Sequence, residues 1–447
     1  MTTGSVHEMF VPPGSALRGA VRVPGDKSIT HRAILFGLLA EGTTQVYDWL
    51  DAGDCRSSIR VARLLGATVT EEEDGHLVIT GTGGRLREPE DVLDCGNSGT
   101  TMRVFLGAIA ARSPFAVLTG DGSLRRRPMG RVIDPLSRMG ARIQARSGRF
   151  APLAVTGGPL TGIEYTLPVA SAQVKSAILV AGLLAQDGVT VVTEPEATRD
   201  HTENLLSAFG VQVHREAFGT GTRIAVESGQ VLRGATVHVP GDLSSAAFLI
   251  AAAALVPGSE VTVTDVGLNA TRTGMLRVLN RMGARVQLDR LRRVSGELVG
   301  DITVTHGPLV GVEIEPAEVP SLIDELPVLA VLAAFAEGKT RVHGAAELRV
   351  KETDRIAAIA QGLRDIGCEV DEAEDGFTVH GRGALRGGTA DSRGDHRIAM
   401  SLAVAGLAST MGVRIRDWDC VQISYPTFAQ TLAKLGAELR EQPAPAL

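Results

Sequence analysis

Aromatic residues supply only 4% of this 447-residue chain, so its cores must be built from Ala, Val, Leu and Ile. Cysteine is scarce too. Cys55, Cys95, Cys368 and Cys420 are scattered with no CxxC pair, which points to a reducing compartment and away from a structural zinc site. The longest apolar runs, such as Ala246 to Val256, fall short of the ~20 residues a membrane span needs. A basic stretch followed by an apolar core is absent at the N-terminus, so no secretory signal is visible. A cytoplasmic protein with no membrane partner is expected. The net charge of −6 disfavours nucleic acid as a partner. There is no GxxxxGK[ST] phosphate loop and no HExxH, and Gly-x-Gly at Gly81, Gly219 and Gly381 does not sit at a strand-to-helix turn. His31, His201 and His396 lack metal-like spacing, so no metal is expected.

What is plentiful is glycine, at 52 residues, with 20 prolines, implying many short connections in a chain long enough for two or three domains. Self-similarity organises them. The phrases Leu65-Gly66-Ala67, Met139-Gly140-Ala141, Phe209-Gly210-Val211, Met282-Gly283-Ala284, Ile366-Gly367-Cys368 and Leu435-Gly436-Ala437 recur every 69 to 84 residues. Each ends a helix-like stretch, as a C-cap glycine does. Six at so even a spacing predict six copies of one βα unit. In each repeat a polar phrase opens an Ala/Leu-rich helix, a strand follows, and a second helix ends at the marker glycine. The first five repeats add a strand pair, and the sixth reads as cut short after its second helix.

Val23-Pro24-Gly25-Asp26 opens the first repeat and Val239-Pro240-Gly241-Asp242 the fourth. This predicts two domains of three repeats, residues 24–238 and residues 1–23 plus 239–447. The N-terminal strand should pair into the second, giving crossover hinges near 22–26 and 238–242.

The polar phrases put Lys27-Ser28, Ser98-Gly99, Ser171-Ala172-Gln173, Asp242, Asp324-Glu325 and Asp395-His396-Arg397 at helix N-termini. Ser, Asn and Asp there can simply be caps. Capping does not call for Lys27, Gln173 or Arg397. Arg127, Arg199 and Arg355 precede their marker glycines by matching distances, at the expected starts of second helices, where a cation is unfavourable to the helix dipole. Lys27, Arg32, Arg127, Arg199, Lys351, Arg355 and Arg397 against Asp324 and Glu352 describe a site, between the domains, for ligands of several negative charges. The fourth repeat, with Asp242 and Ser244 but no cation at its first helix start, reads as mainly structural. Opposed cations should repel until an anion bridges them, so ligand is expected to close the domains.

At these phrases the chain resembles the 5-enolpyruvylshikimate-3-phosphate synthase family over essentially its whole length. The matching segments include Pro24-Gly25-Asp26-Lys27-Ser28, Gly96-Asn97-Ser98-Gly99-Thr100, Arg127-Pro128-Met129-Gly130, Ser171-Ala172-Gln173-Val174-Lys175, Asp324-Glu325-Leu326-Pro327, Lys351-Glu352-Thr353-Asp354-Arg355 and Asp395-His396-Arg397-Ile398. The resemblance implies an α/β fold, the two-domain inside-out α/β barrel of six βαβαββ-type repeats. It implies transfer of the enolpyruvyl group of phosphoenolpyruvate to shikimate 3-phosphate, without cofactor or metal. Carried over by residue, it implies that Lys27, Ser28, Arg32, Ser171, Ala172, Gln173, Arg199, Asp324 and Lys351 hold shikimate 3-phosphate. Lys27, Gly99, Arg127, Gln173, Arg355 and Arg397 would hold phosphoenolpyruvate. Asp324 would take the hydroxyl proton, and Glu352 or Lys27 would protonate C3.

Two departures stand out. Gln422-Ile423-Ser424 replaces a stretch that carries a lysine in some members, and Glu347 stands where some have Asn. The chain also resembles the class II subgroup, through Arg199-Asp200-His201-Thr202-Glu203 and Asn269-Ala270-Thr271-Arg272, which implies reduced sensitivity to glyphosate as a possible inhibitor. Yet Gly99 occupies the place of an alanine found in a tolerant type. UDP-N-acetylglucosamine enolpyruvyl transferases share the fold but rely on a loop cysteine, and Ala111 to Arg127 contains none. An RNA 3′-phosphate cyclase-like architecture is disfavoured by the net acidity. A monomer is expected, since the repeats' own cores account for the apolar runs.

Overall fold

The computed structural model describes residues 7–443. Its strands form six four-stranded sheets of one design. In the second repeat Leu93–Asp94 runs parallel to Ala116–Thr119, which pairs antiparallel with Phe150–Thr156, and that strand pairs antiparallel with Arg142–Arg146. The third and fifth repeats copy this order. All six marker glycines have positive φ, from +81° at Gly210 to +112° at Gly66, the left-handed turn that ends a helix and that side chains with a Cβ resist.

Contacts divide the described chain into two units. The leading unit is Gly25–Pro240 with Arg293–Glu297, and the trailing unit is Gly241–Arg292 and Leu298–Leu447 with Met1–Pro24. Each has its own apolar core. Distant strands complete the first sheet of each: Thr236–His238 lies parallel to Thr43–Tyr47, and Arg18–Arg22 lies parallel to Glu260–Gly267. The sixth repeat does not stop at its second helix but runs on into the strand Arg440–Pro443. His7–Val11 pairs with Val413–Arg416 on one side and Arg440–Pro443 on the other, so the N-terminal strand supplies the one strand that the repeat's own sequence lacks. The bodies of two first helices, Leu243–Leu255 and Leu326–Phe335, are apolar around their circumference and almost wholly buried. No helix among the described residues is long and apolar enough to cross a membrane.

Candidate active site

Capping explains much of the polar helix starts. Asp26, Ser98, Ser171, Asp242 and Asp395 each accept a backbone N–H of the first turn of their helix. Glu325, at the start of Leu326–Phe335, makes no such bond. The cations around these caps have partners of their own.

In the leading unit the helix Lys27–Leu39 carries Ser28 and Arg32 one turn apart. The Arg32 guanidinium donates to the Ser28 carbonyl at 2.9 Å, Thr202 Oγ1 at 2.7 Å and Ser176 Oγ at 2.8 Å. Burial pushes its pKa down to about 10, with Glu203 opposing the shift. Lys27 Nζ lies 3.0 Å from Asp54 Oδ2. Burial, with Lys27 and Arg32 nearby, holds His31 well below the ordinary imidazole value, so it stays neutral. Gln173 is held at both ends of its amide: its oxygen accepts from Arg103 at 2.8 Å, and its nitrogen donates to Thr100 Oγ1 at 3.0 Å. Arg127 donates to Asn97 Oδ1 at 2.9 Å and lies 3.3 Å from Ser123 Oγ. A methyl on Gly99 would sit 2.9 Å from the Arg103 guanidinium and 3.4 Å from that of Arg127, so glycine leaves room for both.

In the trailing unit Arg355 opens the helix Arg355–Asp365 and is 1% exposed. Its Nε and one terminal nitrogen reach the two oxygens of Asp395 at 2.8 and 3.3 Å. Asp324 Oδ1 lies 3.3 Å away and Glu352 Oε2 2.6 Å. Burial works against the Arg355 charge, but Asp395, Glu352 and Asp324 outweigh it and raise its pKa. Lys351 Nζ lies 3.5 Å from Asp324 Oδ1, and Arg397 donates to the Asp324 carbonyl at 3.0 Å.

In this cluster an arginine and a lysine share one aspartate, whose backbone carbonyl accepts from a second arginine. The sequence model of the family EPSP synthase (3-phosphoshikimate 1-carboxyvinyltransferase) matches residues 11–432. The chain belongs to the EPSP synthase family. A 3-phosphoshikimate 1-carboxyvinyltransferase from Synechococcus sp. (strain JA-3-3Ab) is 52% identical over 437 residues, 97% of this chain and 98% of that protein. The structure of the EPSP synthase from Acinetobacter baumannii matches with a TM-score of 0.86 at 42% identity, covering 98% of this chain and 100% of that one. The enolpyruvyl transferase NikO from Streptomyces tendae, at 20% identity and a TM-score of 0.79, covers 99% of this chain and 100% of that one and shows the fold alone.

Within this EPSP synthase-family chain the structure corrects two expectations. Arg355 is a first-turn residue, but Arg199 lies two residues before the helix His201–Ala208, and Arg127 closes a 3-10 turn ahead of Gly130–Arg138. The balance of seven cations against two carboxylates omitted Asp54, Glu325 and Asp395, which pair with Lys27, Arg397 and Arg355. The fourth repeat is tied to the segment that carries Asp324. Its Arg272 contacts Asp242 at 3.2 Å and donates to Ser244 Oγ, which in turn donates to Glu325, the neighbour of Asp324. Sequence reasoning also passed over Arg103, although it stands four residues after Gly99 on one helix face.

Proposed function

We propose that this chain, a transferase of the shikimate pathway, moves the enolpyruvyl group of phosphoenolpyruvate to the 5-hydroxyl of shikimate 3-phosphate and releases phosphate. The observation that carries this reading is the Asp324–Arg355–Lys351 cluster, a carboxylate base flanked by two cations, in a chain of this family. Lys27, Ser28, Arg32, Ser171, Ala172, Gln173 and Arg199 hold shikimate 3-phosphate together with Asp324 and Lys351. Lys27, Gly99, Arg127, Gln173, Arg355 and Arg397 hold phosphoenolpyruvate.

Asp324 takes the proton of the 5-hydroxyl as its oxygen attacks C2 of phosphoenolpyruvate, while Glu352 or Lys27 delivers a proton to C3. The tetrahedral adduct then loses a C3 proton and phosphate leaves, its charge held by the arginines. Glu352 touches Arg355 at 2.6 Å, so a ligand anion that engages Arg355 replaces Glu352 and leaves that carboxyl beside the ligand. The chemistry needs neither metal nor organic cofactor.

The test is phosphate release from phosphoenolpyruvate with shikimate 3-phosphate, and with UDP-N-acetylglucosamine as the alternative acceptor. Turnover is expected only with the first, and its absence there overturns the reading. Scattered free cysteines and two self-contained cores support a cytoplasmic monomer, checked by sedimentation. Glyphosate is expected to compete weakly with phosphoenolpyruvate, and inhibition as tight as in sensitive family members would overturn that.

A further inference from the structure

The Ser171-to-Lys175 phrase contains a residue that the reaction above leaves unused. Lys175 lies in the helix Ala172–Leu183 and is 0% exposed. Its ammonium sits 2.8 Å from Glu203 Oε1 and 3.1 Å from Glu194 Oε1, both carboxylates being buried as well. Burial raises the Glu194 pKa, against the pull of Lys175 and Thr198. An ion cluster out of water is an expensive way to join three segments, since apolar side chains of similar volume are often as stabilising or more so.

Its neighbours suggest what the cluster does. Ser176 follows Lys175, and Thr202 precedes Glu203. These two hydroxyls lie 2.6 Å apart and form the seat that receives the Arg32 guanidinium. The Lys175–Glu203 pair therefore sets the separation of the two helices that carry the seat. On its other side Glu194 accepts from Thr198 Oγ1 at 2.6 Å, and Thr198 precedes Arg199 in the chain. Glu203 also places a negative charge near Arg32, which Arg199 repels.

We infer that Lys175 is a positioning residue for shikimate 3-phosphate: through Glu203 with the Ser176–Thr202 pair, and through Glu194 with Thr198, it aims Arg32 and Arg199 at the ligand's phosphate. This rests on the reading proposed above. Arg32 and Arg199 are not among the side chains assigned to phosphoenolpyruvate, and Gln173 on the same helix is held separately by Arg103 and Thr100.

Wild-type turnover is measured first, so that failure of the reaction itself is seen separately. Lys175→Met should then raise KM for shikimate 3-phosphate on the order of 10-fold to 100-fold, the scale of a misplaced binding group, with KM for phosphoenolpyruvate nearly unchanged. Lys175→Arg should recover most of the loss. If Lys175→Met does not fold, the neutral variant Lys175→Met/Glu194→Gln/Glu203→Gln replaces it, with the same expected split. Thr198→Val, which removes only the Glu194 link, should weaken shikimate 3-phosphate by about 3-fold, a fraction of a net hydrogen bond. A folded Lys175→Met or neutral variant with an unchanged KM for shikimate 3-phosphate, or with both KM values raised alike, overturns the proposal and leaves a structural staple. So does an unchanged KM in Thr198→Val if neither of those variants folds.

Discussion

Arg32 in the leading unit and Arg355 in the trailing unit are both buried helical cations, yet their surroundings differ in kind. Three carboxylates contact Arg355, and they raise its pKa against the effect of burial. Arg32 is hydrogen-bonded by two hydroxyls and a backbone carbonyl, and burial lowers its pKa to about 10. Hydroxyls satisfy the guanidinium's donors without cancelling its charge. Carboxylates do both. An arginine of the first kind is poised to attract an anion, whereas one of the second kind must exchange an internal anion for the ligand. The leading unit thus keeps the less neutralised of the two guanidinium charges. In the trailing unit Arg355 is already matched by carboxylates, Glu352 among them.

The most severe way to break this contrast is to remove the cation assigned to both ligands. Lys27→Met should lower kcat by about 10²-fold to 10⁴-fold, the usual worth of a positioned proton donor, while circular dichroism shows the fold intact. Near-normal turnover would take Lys27 out of the mechanism. Asp395→Asn comes next. It strips Arg355 of its two-oxygen partner, and since this breaks a buried ion pair, denaturant unfolding should show a loss of roughly 3–5 kcal/mol along with a raised KM for phosphoenolpyruvate.

Arg32→Met sharpens the comparison because its two effects should have opposite character. KM for shikimate 3-phosphate should rise at least about 10-fold. Stability should hold or increase, since Ser176 and Thr202 keep each other as partners and a charge that burial disfavours is gone. A loss of stability as large as that of Asp395→Asn would erase the distinction between the two arginines.

A smaller effect is expected from pH. Arg32 has its pKa depressed in the folded protein, so its charge costs stability at lower pH, and that cost is relieved as pH rises through about 10. Since the phosphate needs the charged form, KM for shikimate 3-phosphate should climb over the same range, and this step should vanish in Arg32→Met. Arg355, shifted upward, contributes no such step. The least change should follow alkylation of the native protein at neutral pH. Burial pushes the thiols of Cys95, Cys368 and Cys420 upward, to about 11 for Cys368 and about 12 for Cys420, which leaves almost no reactive thiolate. Rapid labelling of these three with loss of activity would show that their burial is not maintained.

Everything the sequence determined by itself is local or periodic. A marker glycine announces its left-handed turn by standing after an apolar residue at a helix end, and six such turns announce six repeats. A serine or aspartate before an apolar run announces a helix start. The same periodicity put Arg355 in the first turn of its helix, though not Arg127 or Arg199. The counter-ions of the cations did not follow from it, because an aspartate at a helix start looks the same whether it only caps or also holds an arginine, and Asp395 does both. Nor did the sixth repeat reveal that His7–Val11 completes its sheet, since that pairing joins residues from opposite ends of the chain.

Only the tertiary structure decided which carboxylate meets which cation. Lys175 could be read as a solvated charge on a helix until the Val189–Glu194 strand and the His201–Ala208 helix bring two glutamates against it. Electrostatic energy depends on separation in space and on the exclusion of water, and distance along the chain reports neither.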